Sequence, residues 1–207
     1  MQELKDISEY WDSVAAKCLL NGKIRDNWDK RREILRRLLK YTFEGVEILE
    51  IGCGLGITAA GVRINTADFR YIATDTSPQF VERIKRFLGH DGYIAKASEL
   101  PFEENRFNAI FLFDTLEHIH PDERQRSYEE IRRVLKDKFL VFINNPLTES
   151  FHNPEYDHGF RSKDLLEMCK VLNAEILEVE EYSIKKYRYQ FITLVANGIP
   201  KDETGRD

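Results

Sequence analysis

Apolar residues along this chain come in short runs separated by stripes at helical spacing. Ile7, Tyr10, Trp11 and Val14 form one such stripe and Ile34, Leu35, Leu38 and Leu39 another, so two helices are expected to open the protein as a cap. A first β-strand is expected over Val46–Ile51, where an apolar run is halted by Gly52-Cys53-Gly54-Leu55-Gly56. A second, over 71–74, ends on Asp75. Ser77-Pro78 then supplies a capping hydroxyl and a first-turn proline for a helix reaching Leu88. Further strands are expected over 93–97, 107–113 and 139–143, with a helix over 121–136 between the last two. That helix has Asp122 and Glu123 in its first turn, Arg132, Arg133 and Lys136 near its end, and Tyr128, Ile131, Val134 and Leu135 on one face. The stretch 144–160 breaks the rhythm with Pro146 and Pro154, yet carries Phe151, Tyr156 and Phe160. A helix over 162–171 follows, and two long segments, 174–184 and 187–196, are expected to pair as an antiparallel hairpin. The polar tail 201–207 is expected to fray.

Strands alternating with helices imply an α/β architecture, a mostly parallel sheet with helices on both faces, whose ligands bind beyond the carboxyl ends of the strands. The glycine turn and the acids Asp75 and Asp114 fall at such ends. The 207 residues fit one domain, divided as cap helices over 1–45, a core over 46–143, an acceptor-side segment over 144–163, and a final helix and hairpin over 164–200. No apolar run is long enough to span a bilayer and no secretory signal opens the chain, so no membrane association and a cytoplasmic location are expected. Cys18, Cys53 and Cys169 are odd in number and far apart, which suits reduced thiols. The net charge of −5 disfavours nucleic acid as a partner and favours small substrates. Between Lys23 and Lys40, eight basic and three acidic side chains form a basic run, read first as a solvated helix face and second as a site for an acidic acceptor or RNA.

Glycines after a strand let the backbone turn sharply and bring bare amides against a ligand. An acid at the end of the next strand, nineteen positions after Gly56, can accept hydrogen bonds from two ribose hydroxyls. Dinucleotide-binding proteins use a similar turn, but their fingerprint would require glycine or alanine where this chain has Ile57. The ordered pieces ILEIGCGLG, YIATDTS, ELPFEENRFNAIFLFDTLEHI and IRRVLKDKFLVF resemble the class I S-adenosylmethionine-dependent methyltransferases, in particular the group similar to ubiquinone and menaquinone biosynthesis methyltransferases. The resemblance spans residues 46–143 and implies a Rossmann-like, doubly wound, seven-stranded sheet with S-adenosylmethionine as cofactor. It further implies that Gly52, Cys53, Gly54 and Gly56 wrap the methionine part, that Glu50 sits near its amino group, and that Asp75 with Thr76 holds the ribose. Ala97, Ser98, Glu99 and Leu100 would edge the adenine and Asp114 would lie near the sulfonium. Tyr10 and Trp11 look like the family's entry segment, open between core packing and cofactor contact. Many relatives carry Asp where this chain has Lys96, so the usual carboxylate contact to the adenine amine is expected to be replaced by Ser98 or backbone groups.

Methyl transfer is an in-line displacement that depends chiefly on alignment, with a base needed only for some acceptors. The candidates for that base are His118, His152, Tyr156 and His158. His118 follows the fourth strand and His120 is expected to cap the next helix, while the other three lie in the irregular segment. That segment and the helices around Tyr10 and Trp11 are expected to form a movable roof over the acceptor, a static loop packed on the sheet edge being the alternative. Asp114 could instead cap 115–119. No metal site is expected, since Asp114, Asn144 and Asn145 supply a single carboxylate. The acceptor is expected to be a small molecule; an RNA- or protein-modifying enzyme and a non-catalytic, cofactor-binding partner subunit are the alternatives.

Overall fold

The computed structural model describes residues 9–10, 12–13, 24–41, 43, 45–65, 69–147 and 156–198. In order these form α1 (Ile24–Leu38), β1 (Val46–Ile51), α2 (Ile57–Asn65), β2 (Phe69–Asp75) and α3 (Pro78–Arg83), which runs on as a wider π turn (Ile84–Leu88). Next come β3 (Asp91–Ile94), β4 (Phe107–Phe113), a 3₁₀ turn (Leu116–His118), α4 (Pro121–Val134), β5 (Leu135–Pro146), α5 (Ser162–Leu172), β6 (Ala174–Ile184) and β7 (Tyr187–Ala196). Among the described residues the strands make one seven-stranded sheet in the order β3-β2-β1-β4-β5-β7-β6. β1 to β5 are mutually parallel, whereas β7 runs antiparallel to both β5 and β6.

Side chains alternate across a strand, so each strand feeds two cores. Leu49, Ile51, Ile110, Leu112, Val141 and Ile143 face Tyr128 and Ile131 of α4 and Leu165, Met168 and Leu172 of α5. Their neighbours Ile48, Ala109, Phe111, Phe113 and Phe142 face Ile34 and Leu38 of α1 and Ala59 of α2. Burial on both faces explains why the parallel strands read as continuous apolar runs. Capping sets the helix starts: the Ser77 hydroxyl accepts from the Phe80 amide at 3.3 Å, and His120 caps α4 by accepting from the Asp122 amide at 3.3 Å.

The bounds of β3 and β5 differ most from the sequence expectation. β3 starts at Asp91 rather than 93, with Gly92 paired to Ala73; a Cβ there would press on Val81 at 3.2 Å, so this glycine serves close helix packing rather than a turn. β5 reaches beyond 139–143 at both ends. Leu135 pairs with Phe107, and Asn144, Asn145 and Pro146 pair with Phe191, Gln190 and Tyr189. These turn-prone residues stay extended because β5 lies between two partners, with proline only at its last position. The irregular stretch therefore begins after Pro146, and Trp11, Phe151, His152 and Pro154 lie outside the described residues.

Candidate functional site

The chain winds outward from β1 in both directions, so the carboxyl ends of β1 and β4 flank a crevice. A cavity of about 280 Å³ opens there. One wall is the glycine turn, whose Gly52 and Cys53 amides both donate to the Thr74 carbonyl, at 2.8 and 3.0 Å. Gly52 has φ +75°, and a Cβ on it would stand 2.5 Å from Thr115 Oγ1. Gly54 has φ +49° and lines the cavity, with nothing within 4 Å of where a Cβ would be. Only its bare backbone faces a ligand.

Asp75 locks this turn to β2. Its carboxylate accepts from the Gly54 amide at 2.9 Å and from the Ser77 amide at 2.9 Å. Burial raises its pKa to about 6 against these amide bonds, so it is mostly ionised at neutral pH and can still accept from a ligand's hydroxyls. Glu50 is fully buried and accepts from Tyr71 Oη behind the turn. Burial pushes it up to about 8, which leaves it largely neutral, and it is not part of the cavity wall. Burial likewise holds the Cys53 thiol well above its usual range.

The β4 end of the cavity is charged. Asp114, at φ +56°, pairs with Lys30 at 2.5 Å and Arg31 at 3.7 Å, and accepts from Asn144 Nδ2 at 2.8 Å. Burial would raise its pKa, but the two cations outweigh burial and hold it low. Arg31 also donates to the Phe113 carbonyl at 3.3 Å, while its Nη1 is buried without a hydrogen-bond partner. A buried guanidinium nitrogen left open in a cavity wall is suited to a ligand's anionic group. Tyr182 completes the network by donating to Asn144 Oδ1 at 2.6 Å. Asp114 is thus an ion-pair partner and makes no cap, as the 3₁₀ turn begins without one.

His118 lines the same cavity, and its Nδ1 lies 2.7 Å from Asp157 and 3.0 Å from the Tyr156 carbonyl. Burial alone would lower its pKa, but Asp157 and Glu117 raise it to about 9. His118 is accordingly an imidazolium near neutral pH, suited to donating rather than accepting a proton. Burial, opposed by His118, brings Glu117 to about 7. His158 is lowered by burial and then by His120, whose ring it meets at 4.9 Å, and it is not in the cavity wall.

Of the residues expected at the site, Gly52, Cys53, Gly54, Asp75, Thr76, Ala97, Asp114 and His118 converge on the cavity. Gly56 packs toward Ile84 and Leu88 instead. Ser98, Glu99 and Leu100 turn from the cavity, the Leu100 amide being held by Glu130 at 2.9 Å. Tyr10 and Tyr156 stack on each other at 4.1 Å, and Asp12 is bonded to Ser77, so the opening segment touches both α3 and the 156–160 stretch. Phe160 belongs to the core and its carbonyl accepts from Asn145 at 3.1 Å, which anchors that end of the expected roof. Sequence reasoning missed Lys30, Arg31, Asp157 and Glu123. The first two were absorbed into a basic run read as solvated, but Lys30 and Arg31 turn inward, and Arg37 is buried between Glu33 and Glu180.

A profile of the methyltransferase domain family matches residues 49–143, the stretch that builds the glycine turn, Asp75 and the β4 end. The chain is 28% identical over 175 residues to the carboxy-S-adenosyl-L-methionine synthase of an Enterobacter species, covering 73% of this chain and 70% of that protein. It is 25% identical over 123 residues to the sterol 24-C-methyltransferase of Aspergillus fumigatus; the match covers 56% of this chain and spans only 32% of the fungal protein's length. A solved chain from the Haloferax volcanii complex of the Trm112 methyltransferase activator with a methyltransferase superposes with TM-score 0.75 at 16% identity, covering 93% of this chain and 98% of that one, a likeness of fold. No helix among the described residues is long and apolar enough to cross a membrane. The turn, the acid and the sheet order agree with this match, so residues 49–143 resemble the methyltransferase domain and the sheet has the Rossmann-like fold of class I, S-adenosylmethionine-dependent methyltransferases.

Proposed function

We propose that this protein transfers the methyl group of S-adenosylmethionine to a small-molecule acceptor at the β4 end of the cavity. The observation that carries this reading is the joining, in one cavity, of the Gly54–Asp75 wall to a charged end built by Lys30, Arg31, Asp114 and His118. The cofactor supplies a methyl carbon made electrophilic by its sulfonium. The chain's own residues have to hold, align and dry the reactants, which can be worth several kcal/mol of barrier. Gly52 keeps the turn closed against Thr115, Gly54 lays side-chain-free backbone beside the amino-acid portion, Arg31 Nη1 takes its carboxylate, and Asp75 takes the ribose hydroxyls. Asp114 faces the positive end. His118, held by Asp157, orients an acceptor oxygen or nitrogen by donating to it, and Tyr10 stacked on Tyr156 roofs the cleft.

Calorimetry with S-adenosylhomocysteine and NAD, followed by a screen of phenols, quinones, amines and carboxylic acids with labelled cofactor, tests the proposal. Binding to the first ligand and labelling of a small acceptor are expected. Heat from NAD alone would overturn it.

A second reading is transfer to RNA or protein by a partner-dependent complex. It is favoured by the fold likeness to a chain from an activator complex and by β3 being an edge strand among the described residues, with Tyr93, Ile94 and Phe87 all exposed. Salt-sensitive binding to bulk tRNA with no small-molecule turnover would favour it.

A further inference from the structure

At the end of the cavity opposite Asp114, Lys96 and Glu123 face one another across the wall. Lys96 follows β3, and Glu123 stands in the first turn of α4; their side chains meet with Nζ 3.1 Å from Oε1. Both line the cavity, and both are largely withdrawn from solvent, at 18% and 33% side-chain exposure. The Ser127 hydroxyl donates to the Glu123 carbonyl at 2.9 Å and holds this turn in place. Lys96 occupies Oε1 alone; among the described residues no hydrogen bond or ion pair takes Oε2. Ala95, Ala97 and Ile119 add flat apolar surface beside the pair.

An ion pair in a cavity wall presents an acceptor and a donor side by side. The edge of a 6-aminopurine presents the complement, an amine donor next to a ring-nitrogen acceptor. With Asp75 at the end of β2 between this pair and the charged β4 end, a nucleoside whose ribose meets Asp75 has its base directed to Lys96 and Glu123. Resting on the cofactor site proposed above, we infer that Glu123 accepts the adenine amine and that Lys96 positions that carboxylate while offering its ammonium to a ring nitrogen. The carboxylate that Lys96 displaces from its own position is thereby supplied from α4. Glu123 becomes the residue that sets base specificity.

The test is calorimetric and needs no acceptor. S-adenosylhomocysteine is compared with S-inosylhomocysteine, in which an oxygen replaces the amine and the adjacent ring nitrogen carries a proton, so that acceptor meets acceptor at Glu123 and donor meets donor at Lys96. The wild-type protein is expected to prefer the adenine compound by roughly 10- to 100-fold, the range of a lost hydrogen bond to a charged group. Glu123→Gln is expected to weaken the adenine compound by about tenfold and to reduce the ratio of the two affinities, because an amide can donate to the oxo group while the mismatch at Lys96 persists. Lys96→Met, which keeps the carboxylate but not its anchor, is expected to weaken both compounds and retain the preference for adenine. Wild-type binding with an unchanged affinity ratio in Glu123→Gln would overturn this inference alone. Absence of wild-type binding to either compound would overturn it together with the cofactor site on which it rests.

Discussion

Two glycines in one turn make a controlled comparison, because they share left-handed backbone and differ in what surrounds them. Placing alanine at Gly54 puts a side chain into left-handed geometry, which costs about 1 to 2 kcal/mol, but the added methyl meets no protein atom within 4 Å. At Gly52 the same strain is joined by a collision. The new Cβ would lie 2.5 Å from Thr115 Oγ1 and 2.8 Å from Cγ2, so Thr115 must rotate and give up the 3.0 Å bond it donates to the Ile51 carbonyl. Overpacking and the lost hydrogen bond bring the expected cost of Gly52→Ala to roughly 3 to 5 kcal/mol. In a chain of this size a gap of about 2 kcal/mol between the variants separates their melting temperatures by roughly 4 to 8 °C. Binding should rank them in the opposite way. Gly54→Ala is expected to remain folded and lose S-adenosylhomocysteine affinity by at least about tenfold, since its methyl occupies cavity space beside the side-chain-free backbone. Thermal unfolding and calorimetry on both variants decide the matter. Equal destabilisation, or wild-type affinity in Gly54→Ala, would refute the claim that Gly52 serves packing and Gly54 serves the ligand.

Two further outcomes are expected. Asp75→Ala removes both the ribose acceptor proposed above and the clamp on the Gly54 and Ser77 amides, so S-adenosylhomocysteine affinity should fall by about 1.5 to 3 kcal/mol, roughly 10- to 100-fold, with some loss of stability. In the wild type, affinity should weaken as pH drops through about 6 and the carboxylate protonates, a dependence that calorimetry at several pH values should find absent in Asp75→Ala. For His118 the folded pKa of about 9 lies above the ordinary 6.5, so its contribution is complete below pH 6.5 and is lost as pH rises toward 9. That contribution is about 3 kcal/mol at most, and denaturant unfolding of His118→Gln should therefore show a flatter stability profile between pH 6.5 and 9 than the wild type. Parallel profiles would mean that Asp157 does not hold an imidazolium.

What the sequence made legible follows the range of the interactions concerned. The glycine turn, Asp75 and the capped helices are written within a few residues, and the structure places them as local chemistry requires: Ser77 and His120 cap the helices, and Asp75 reaches amides on either side of the turn. The hairpin of β6 and β7 was equally legible because its strands are long and adjacent in the chain. Asn144-Asn145-Pro146 misled because residues typical of turns are held extended by pairing with β7, which is not local. The charged end of the cavity was the least legible part. Lys30 and Arg31 differ in no local respect from Arg32 or Arg36, which stay exposed; what turns them inward is Asp114, more than eighty positions later, at the end of a strand that α1 covers. A lone carboxylate at a strand end in a buried cleft requires a cation, and the helix packed on that face supplies it. Asp114 therefore gave reason to search the basic run for an inward-facing pair, and the pairing of His118 with Asp157 follows the same logic from the other side of the cavity. Where a family's motif fixes one charge in a low-dielectric site, the opposite charge has to be sought among the segments that the topology brings over it.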